Sequence, residues 1–357
     1  MVPLAWALRG AGHEVLVVTG GRSLAAAEKC GLPYLDFAPE MTADEINDGF
    51  RQQLAVLPAY TPSVRCLADV AERVAVVARL GMDQTVRASE SWRPDLIVHD
   101  PMNVGGLIAA ARLGVPAVEH LWGFIRTTGL TERYYELLKD DFDRHGASGL
   151  PERIVLDVAP PSMLSGRPAG WSMRYVPHDS GPLPEWLVGP ARTGRPRIAI
   201  TLGTEIPSND GAGAFGRTVA AAAEVDADFV VAAGVDPAGL GPLPPNVRAE
   251  RWLPFGSLLT RCTGVVHHGG SGVTMAALAN GIPQLLLPDG TDRYANAEAV
   301  ADNGAGLTCA RDEVSAALLA QLVADDGLRL AAERAQVEIG MLPTPAAVAA
   351  RLEALTR

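Results

Sequence analysis

The stretch 264–296, GVVHHGGSGVTMAALANGIPQLLLPDGTDRYAN, concentrates the chemistry of this chain. An apolar strand ends at His267, and a turn carrying His268, Gly269, Gly270, Ser271 and Gly272 follows. A helix then begins near Val273, and Asn280, Gly281 and Pro283 mark its end. A strand–turn–helix of this kind leaves backbone N–H groups free at the positive end of the helix dipole, which is where a diphosphate binds. The glycines let phosphate oxygens approach the backbone, and Ser271 and Thr274 are expected to add hydroxyl donors. His267, charged or donating a neutral N–H, is expected to stand beside the same oxygens and stabilise charge on a departing diphosphate. One such donor is typically worth about 10²–10³ in rate.

The elements around this turn form two αβ series. In the first half, helix-like residues 3–10 precede a β-branched run at 14–19, which reads as a strand buried on both faces of a parallel sheet. A helix at 22–30 and a short strand near 34–37 follow. Residues 63–90 read as one long helix or two, then a strand at 95–99, a helix at 104–113 and a strand from 116. In the second half, strands at 197–203, 228–233, 247–251, 264–267 and 284–288 alternate with helices. Helices at 295–303, 312–324, 327–339 and 346–356 close the chain. The fold class is therefore α/β with mostly parallel sheets. The expected division is 1–170 as the first domain, a Pro- and Gly-rich linker over 171–194, a second domain over 195–341, and a terminal helix in 342–357 packing back on the first domain. A doubly wound domain normally opens on a central strand, whereas this chain opens on a helix, so the first sheet is expected to lack its middle strand.

Composition narrows the field. Thirty Lys and Arg against 41 Asp and Glu give a net charge of −11, which repels nucleic acid. No apolar run approaches the roughly 18 residues of a membrane span. The start shows no charged segment before an apolar one, as a secretory signal would. The four cysteines lie far apart with no CxxC pair, which disfavours a metal site and a disulfide framework and points to a reducing cytoplasm. A literal G-x-G-x-x-G occurs at 211–216, but it begins well after its strand ends, so it does not read as a dinucleotide site.

The block HHGGSG, with WLPFGSLL at 252–259 upstream and PDGTDRYANAE at 288–298 downstream, resembles the family-one nucleotide-sugar glycosyltransferases. The likeness is nearest to bacterial enzymes that attach deoxysugars to polyketide antibiotic aglycones. It extends through VPLAWALRGAGHEV near the start, GVPAVEHLWG at 114–123 and RPRIAITLGT at 195–204. The resemblance implies two Rossmann-like domains facing each other across a cleft (the GT-B fold). It implies an inverting, metal-independent hexosyltransferase with no cofactor besides its co-substrate, a dTDP- or UDP-sugar. The acceptor would be the hydroxyl or aromatic carbon of a hydrophobic aglycone. It also admits a homodimer and a cytochrome-like auxiliary protein as partners.

Carried over residue by residue, the resemblance makes Trp252 part of a nucleobase platform, with the Leu253 backbone reading the base edge. A core tryptophan at a strand end is the plainer alternative. Gly203 and Thr204 become the loop capping the phosphates. Asp292 becomes the acidic residue that bonds sugar hydroxyls, a surface pair with Arg293 being the alternative. Arg293 stands where the family often has Gln, which leaves the sugar open. Asp100 becomes the aspartate that orients a histidine base, and that base is expected upstream of Met1. His120, Trp122 and Phe124 are expected in the acceptor cleft, with Phe50, Tyr60, Tyr134 and Tyr135 as further walls or as packing residues. His13 and His99 read as structural. A non-catalytic sugar-nucleotide-binding remnant and a nucleotide-sugar 2-epimerase are the competing functions.

Overall fold

The computed structural model describes residues 1–42, 44–46, 48, 64–188, 194–203, 215–290 and 292–356, with the side chain of Arg22 excepted. Two compact units emerge. One contains Met1–Val158, Pro168–Arg174 and Pro343–Arg357; the other contains Ala159–Arg167 and Tyr175–Leu342.

In the first unit the parallel strands fall into two sheets. Strands β1 (Val17–Thr19) and β2 (Tyr34–Asp36) form a pair, and β3 (Ile97–His99), β4 (Ala117–His120), β5 (Arg153–Asp157) and β6 (Trp171–Ser172) form a four-stranded sheet in that order. The β-branched run at 14–19 is shorter and less covered than its composition suggests. All three residues of β1 are half-buried, because β1 has β2 as its one strand neighbour among the described residues. An apolar run reads as doubly buried only when strands and helices supply both covers. The long helical stretch resolves into two helices, Ala71–Ala78 and Met82–Trp92, broken at Gly81. Gly81 has φ 65°, and an added Cβ there would lie 2.4 Å from the Phe37 ring, so both backbone and packing require glycine.

The helix Val104–Leu113 supplies the centre of this core, burying Val104, Leu107, Ile108, Ala109 and Ala110. Asn103 caps it by accepting from the Gly106 N–H at 2.9 Å, and Gly114 ends it. Beyond β4 the chain is stapled to the end of β5. The Arg126 guanidinium pairs with the fully buried Asp157 at 2.6 Å and donates to the carbonyls of Gly123 and Phe124.

The described residues 171–188 of the stretch expected as a linker carry regular structure. Trp171–Ser172 pairs with β5 as the sheet edge, the Arg174 N–H donates to the Pro343 carbonyl, and Glu185–Val188 is helical. Two residues are too few to show strand periodicity, which is why β6 is invisible in the sequence. The terminal helix Pro345–Glu353 belongs to this first unit. Thr344 caps it, it packs against the helix Val2–Gly10, and its Arg351 sits 3.5 Å over the Trp171 ring.

The second unit is a six-stranded parallel sheet in the order β12 (Gly306–Thr308), β11 (Gln284–Leu286), β10 (Gly264–His267), β7 (Arg197–Thr201), β8 (Asp228–Ala232), β9 (Val247–Glu250). Alternate residues bury on opposite faces, with Ile198, Ile200, Val231 and Val266 on one and Ala199, Val230 and Val265 on the other. The strand order reverses between β7 and β10. In open parallel sheets that switch point is where ligands bind, outside the carboxyl ends of the strands.

Candidate functional site

At the switch point β7 runs out at Thr201, two residues before Gly203, and β10 at His267, and the Gly-rich turn leads from β10 into the helix Ser271–Ala279. Gly270 is the N-cap, and the Thr274 N–H, bonded to the Gly270 carbonyl at 3.0 Å, is among the first drawn into the helix. The N–H groups of the first turn have no intrahelical acceptor and point out of the sheet end. Gly272 is exposed there, and an added Cβ would meet nothing within 4 Å.

The two histidines divide their labour against expectation. His267 is fully buried; its Nε2 pairs with Gln284 Oε1 on β11 at 2.8 Å, and its Nδ1 accepts from the Gly269 N–H at 3.1 Å. Both nitrogens are paired inside the protein, so His267 shapes the turn. Burial lowers its pKa to about 4, which keeps it a neutral ring that donates from Nε2. The His268 ring is also buried and lies at 87° to the first. It is cradled by two glycines: an added Cβ would lie 2.7 Å from its Cε1 at Gly203 and 2.4 Å from its Nε2 at Gly270. Gly203 also has φ 74°. The Nδ1 of His268 is buried without a hydrogen-bond partner among the described residues. Burial lowers its pKa to about 3.

The expected hydroxyl donors are also committed. Thr274 Oγ1 donates to the Gly270 carbonyl at 3.0 Å, and Ser271 Oγ donates to Asp292 Oδ2 at 2.7 Å. Backbone N–H groups, not side-chain hydroxyls, are therefore what the turn offers. Asp292 is anchored through that same oxygen to the Asn296 amide at 3.1 Å, and Asn296 also donates to the Gly269 carbonyl at 2.8 Å and Ser271 Oγ at 3.0 Å. Neither Asn296 nor Gln284 was singled out from sequence. The signal was there, since each is a fully buried amide in an apolar setting and so requires partners. Arg293 turns back to donate to the Asp289 carbonyl at 2.7 Å and so braces the loop. Trp252, just past β9, is 56% exposed, which removes the core-tryptophan alternative, while Leu253 is buried at 4%. Thr204 lies outside the described residues.

In the first unit Asp100 follows β3, and its Oδ1 accepts from the Met102 N–H at 2.8 Å; burial raises its pKa. His99 and His120 each pair Nδ1 with a backbone carbonyl, of Asp100 at 2.9 Å and Leu121 at 2.7 Å. In both rings Nε2 is buried without a partner among the described residues. Burial lowers the His120 pKa to about 3. The aromatic walls are mostly core: Phe124 and Tyr134 are buried, Tyr134 donates to the Pro101 carbonyl, and Tyr135 packs edge-on to Phe142. Trp122 stays half-buried, and Phe50 and Tyr60 lie outside the described residues. Among the described residues no three His, Cys, Asp or Glu side chains are grouped to hold a metal ion, and no helix is long and apolar enough to cross a membrane.

Comparison with known proteins follows the same geometry. Residues 6–203 match the N-terminal domain, and residues 216–355 the C-terminal domain, of the family described as erythromycin biosynthesis protein CIII-like. The chain is 42% identical over 360 residues to the elloramycin glycosyltransferase ElmGT of Streptomyces olivaceus, covering 98% of this chain and 92% of that protein. Among solved structures it resembles the glycosyltransferase SnogD from Streptomyces nogalater, with a TM-score of 0.85 and 37% identity over 100% of this chain and 95% of that one. The spinosyn rhamnosyltransferase SpnG, solved with thymidine diphosphate, matches with a TM-score of 0.80 and 31% identity over 99% and 95% of the two chains. SpnG has also been solved with spinosyn aglycone, where the TM-score is 0.80 and the identity 30% over the same shares. Of the three functions its sequence left open, the chain has the transferase one: it belongs to the erythromycin biosynthesis protein CIII-like family and is a family-one glycosyltransferase of the deoxysugar antibiotic type, with the GT-B fold class.

Proposed function

We propose that the protein transfers a deoxysugar from thymidine diphosphate to a hydroxyl or aromatic carbon of a polyketide-type aglycone, with inversion at the anomeric carbon. The observation that carries this reading is the carboxyl end of the second sheet. There the first turn of Ser271–Ala279, the His268 ring, the exposed Trp252 and the anchored Asp292 lie beyond the strand ends of one six-stranded sheet. The turn matches a diphosphate in charge, the indole matches a base, and the carboxylate matches sugar hydroxyls. The related SpnG, solved with thymidine diphosphate and separately with an aglycone, supports the choice of donor and acceptor classes.

In the proposed reaction the acceptor oxygen or carbon attacks the anomeric carbon from the face opposite the diphosphate. As that bond forms, the bond to the diphosphate oxygen breaks, its electron pair leaves with the nucleoside diphosphate, and the acceptor's proton passes to water. The helix N–H groups and His268 stabilise the developing negative charge, a form of catalysis that needs donors already in place. Asp292 holds the sugar while the charge builds on its anomeric carbon. The sugar nucleotide is a co-substrate, and the proposal includes no metal or further cofactor.

Calorimetric titration with thymidine diphosphate, paired with turnover of thymidine diphosphate-deoxysugars and polyketide aglycones in the presence of EDTA, tests this. The expected outcome is micromolar-class binding, a glycosylated product with inverted anomeric configuration by NMR, and no loss of rate to the chelator. Replacing His268 with alanine should lower turnover by about 10²-fold or more. Absence of nucleotide binding, or turnover indifferent to His268, would overturn the reading.

A further inference from the structure

The segment 175–181 follows β6 and carries the composition of a linker, yet it is tied to both loops of the donor site. Asp179 accepts the Gly256 N–H on Oδ1 at 2.9 Å and the Ser257 N–H on Oδ2. These two N–H groups open the short helix Phe255–Leu259, which begins three residues after Trp252. The carboxylate lies tight against this backbone, for an added Cβ at Gly256 would be 3.0 Å from Asp179 Oδ2. With Leu253 buried and Gly256 and Ser257 pinned by Asp179, the chain that follows the exposed indole is held in place. Gly181 lies beside that indole, an added Cβ there falling 3.8 Å from Trp252 Nε1.

At its other end the segment reaches the diphosphate turn. Tyr175 Oη donates to the Gly272 carbonyl at 3.0 Å. That carbonyl shares its peptide with the Val273 N–H, one of the groups of the helix first turn. A hydrogen bond to the carbonyl polarises the peptide and strengthens its N–H as a donor. Burial raises the Tyr175 pKa to about 12, so the phenol keeps its proton.

We propose that the segment 175–181 is a third wall of the nucleotide-sugar site, with Asp179 positioning the nucleobase loop and Tyr175 positioning the diphosphate turn. This rests on the reading of that turn as the diphosphate site. Neither residue touches the reacting atoms; both act through the backbone they hold. The segment couples the two halves of the donor site, since one stretch of seven residues, counted from 175 to 181, grips both.

The test is calorimetric titration of thymidine and of thymidine diphosphate into the wild type and the Asp179→Ala, Asp179→Asn and Tyr175→Phe variants, with melting temperatures of each free protein. Asp179→Ala should weaken both nucleotides about ten-fold, the scale of a lost helix cap. Asp179→Asn, which keeps an acceptor oxygen, should recover most of that loss. Tyr175→Phe should weaken thymidine diphosphate several-fold and leave thymidine unchanged. The KM for the sugar nucleotide should rise in step, with kcat the smaller change. Variants that melt lower yet bind both nucleotides as tightly as the wild type would overturn the proposal, leaving these residues as ordinary struts. A wild type that binds thymidine diphosphate while Tyr175→Phe loses thymidine equally would also overturn it. A wild type that binds neither nucleotide would bring down the donor-site reading itself, and this proposal with it.

Discussion

Gly272→Ala separates the diphosphate assignment from every effect on folding. Gly272 is the second residue of the helix Ser271–Ala279, is exposed, and has no heavy atom within 4 Å of where a Cβ would be placed. Its φ is not positive, so alanine adopts the same backbone without strain. In a helix, alanine is favoured over glycine by up to about 1 kcal/mol. At roughly 2–4 °C per kcal/mol for a unit of this size, the variant should melt about 1–4 °C higher than the wild type. In the proposed site, however, the added methyl stands where phosphate oxygens approach the helix N–H groups. Losing one hydrogen bond to a charged partner costs about 1.5–3 kcal/mol, or roughly ten- to hundred-fold in affinity.

The expected phenotype is thus a more stable protein that binds thymidine diphosphate at least about ten-fold more weakly. Differential scanning fluorimetry and calorimetric titration on one preparation read both quantities. Gly340→Ala is the control: it is an exposed helical glycine with nothing within 4 Å of an added Cβ, far along the helix Asp326–Met341. It should gain stability and keep its nucleotide affinity. If Gly272→Ala binds thymidine diphosphate as the wild type does, the diphosphate does not sit on this turn.

Two further outcomes concern stability. Burial lowers the pKa of His267 to about 4 and of His268 and His120 to about 3. The unfolded chain takes up protons near 6.5 that the folded chain refuses, so stability is full above about pH 6.5 and declines as pH falls below it. For His267 alone the loss is about 1.5 kcal/mol between pH 6.5 and 5, above the range where most carboxylates titrate. Urea midpoints measured across that interval should fall, and a flat profile would contradict neutral buried rings. Separately, Arg126→Leu leaves the fully buried Asp157 without its guanidinium partner and should destabilise by about 3 kcal/mol or more. A change in melting temperature of under about 2 °C would show that this pair does not hold the loop after β4.

The alternation of apolar segments and glycine punctuation made most elements of the second unit legible. The helix Ser271–Ala279, the turn before it and five of the six strands stand within a residue or two of their sequence expectation. What escaped were elements too short to carry a period. β6 has two residues and β12 has three, and each exists through its neighbour strand more than through its own composition. The half-burial of β1 escaped for the same reason, because cover is a property of neighbours and a run of valines cannot show whether they are present.

The Gly-rich turn was legible from its spacing, and the inward placement of His267 within it has a geometric cause. His267 and His268 are adjacent, so along an extended strand end they must face opposite ways. Composition cannot say which one faces in, because either histidine satisfies HHGG equally. The decision comes from outside the motif. Gln284 lies on β11 with its amide oxygen 2.8 Å from His267 Nε2, and strands β10 and β11 pair His267 with Leu286. A buried glutamine in an apolar strand needs an internal partner, and a histidine one strand away supplies it. Two glycines, Gly203 and Gly270, then leave the space into which the other ring must fall. His267 is thus fixed by a residue seventeen positions downstream, and His268 by the absence of two side chains. The sugar side follows the same logic. Ser271 and Asn296 hold one oxygen of Asp292, and Asn296 also holds the carbonyl of Gly269. Any movement of the turn is therefore felt by the carboxylate proposed to hold the sugar, so in the proposed site the diphosphate and the hexose are read together.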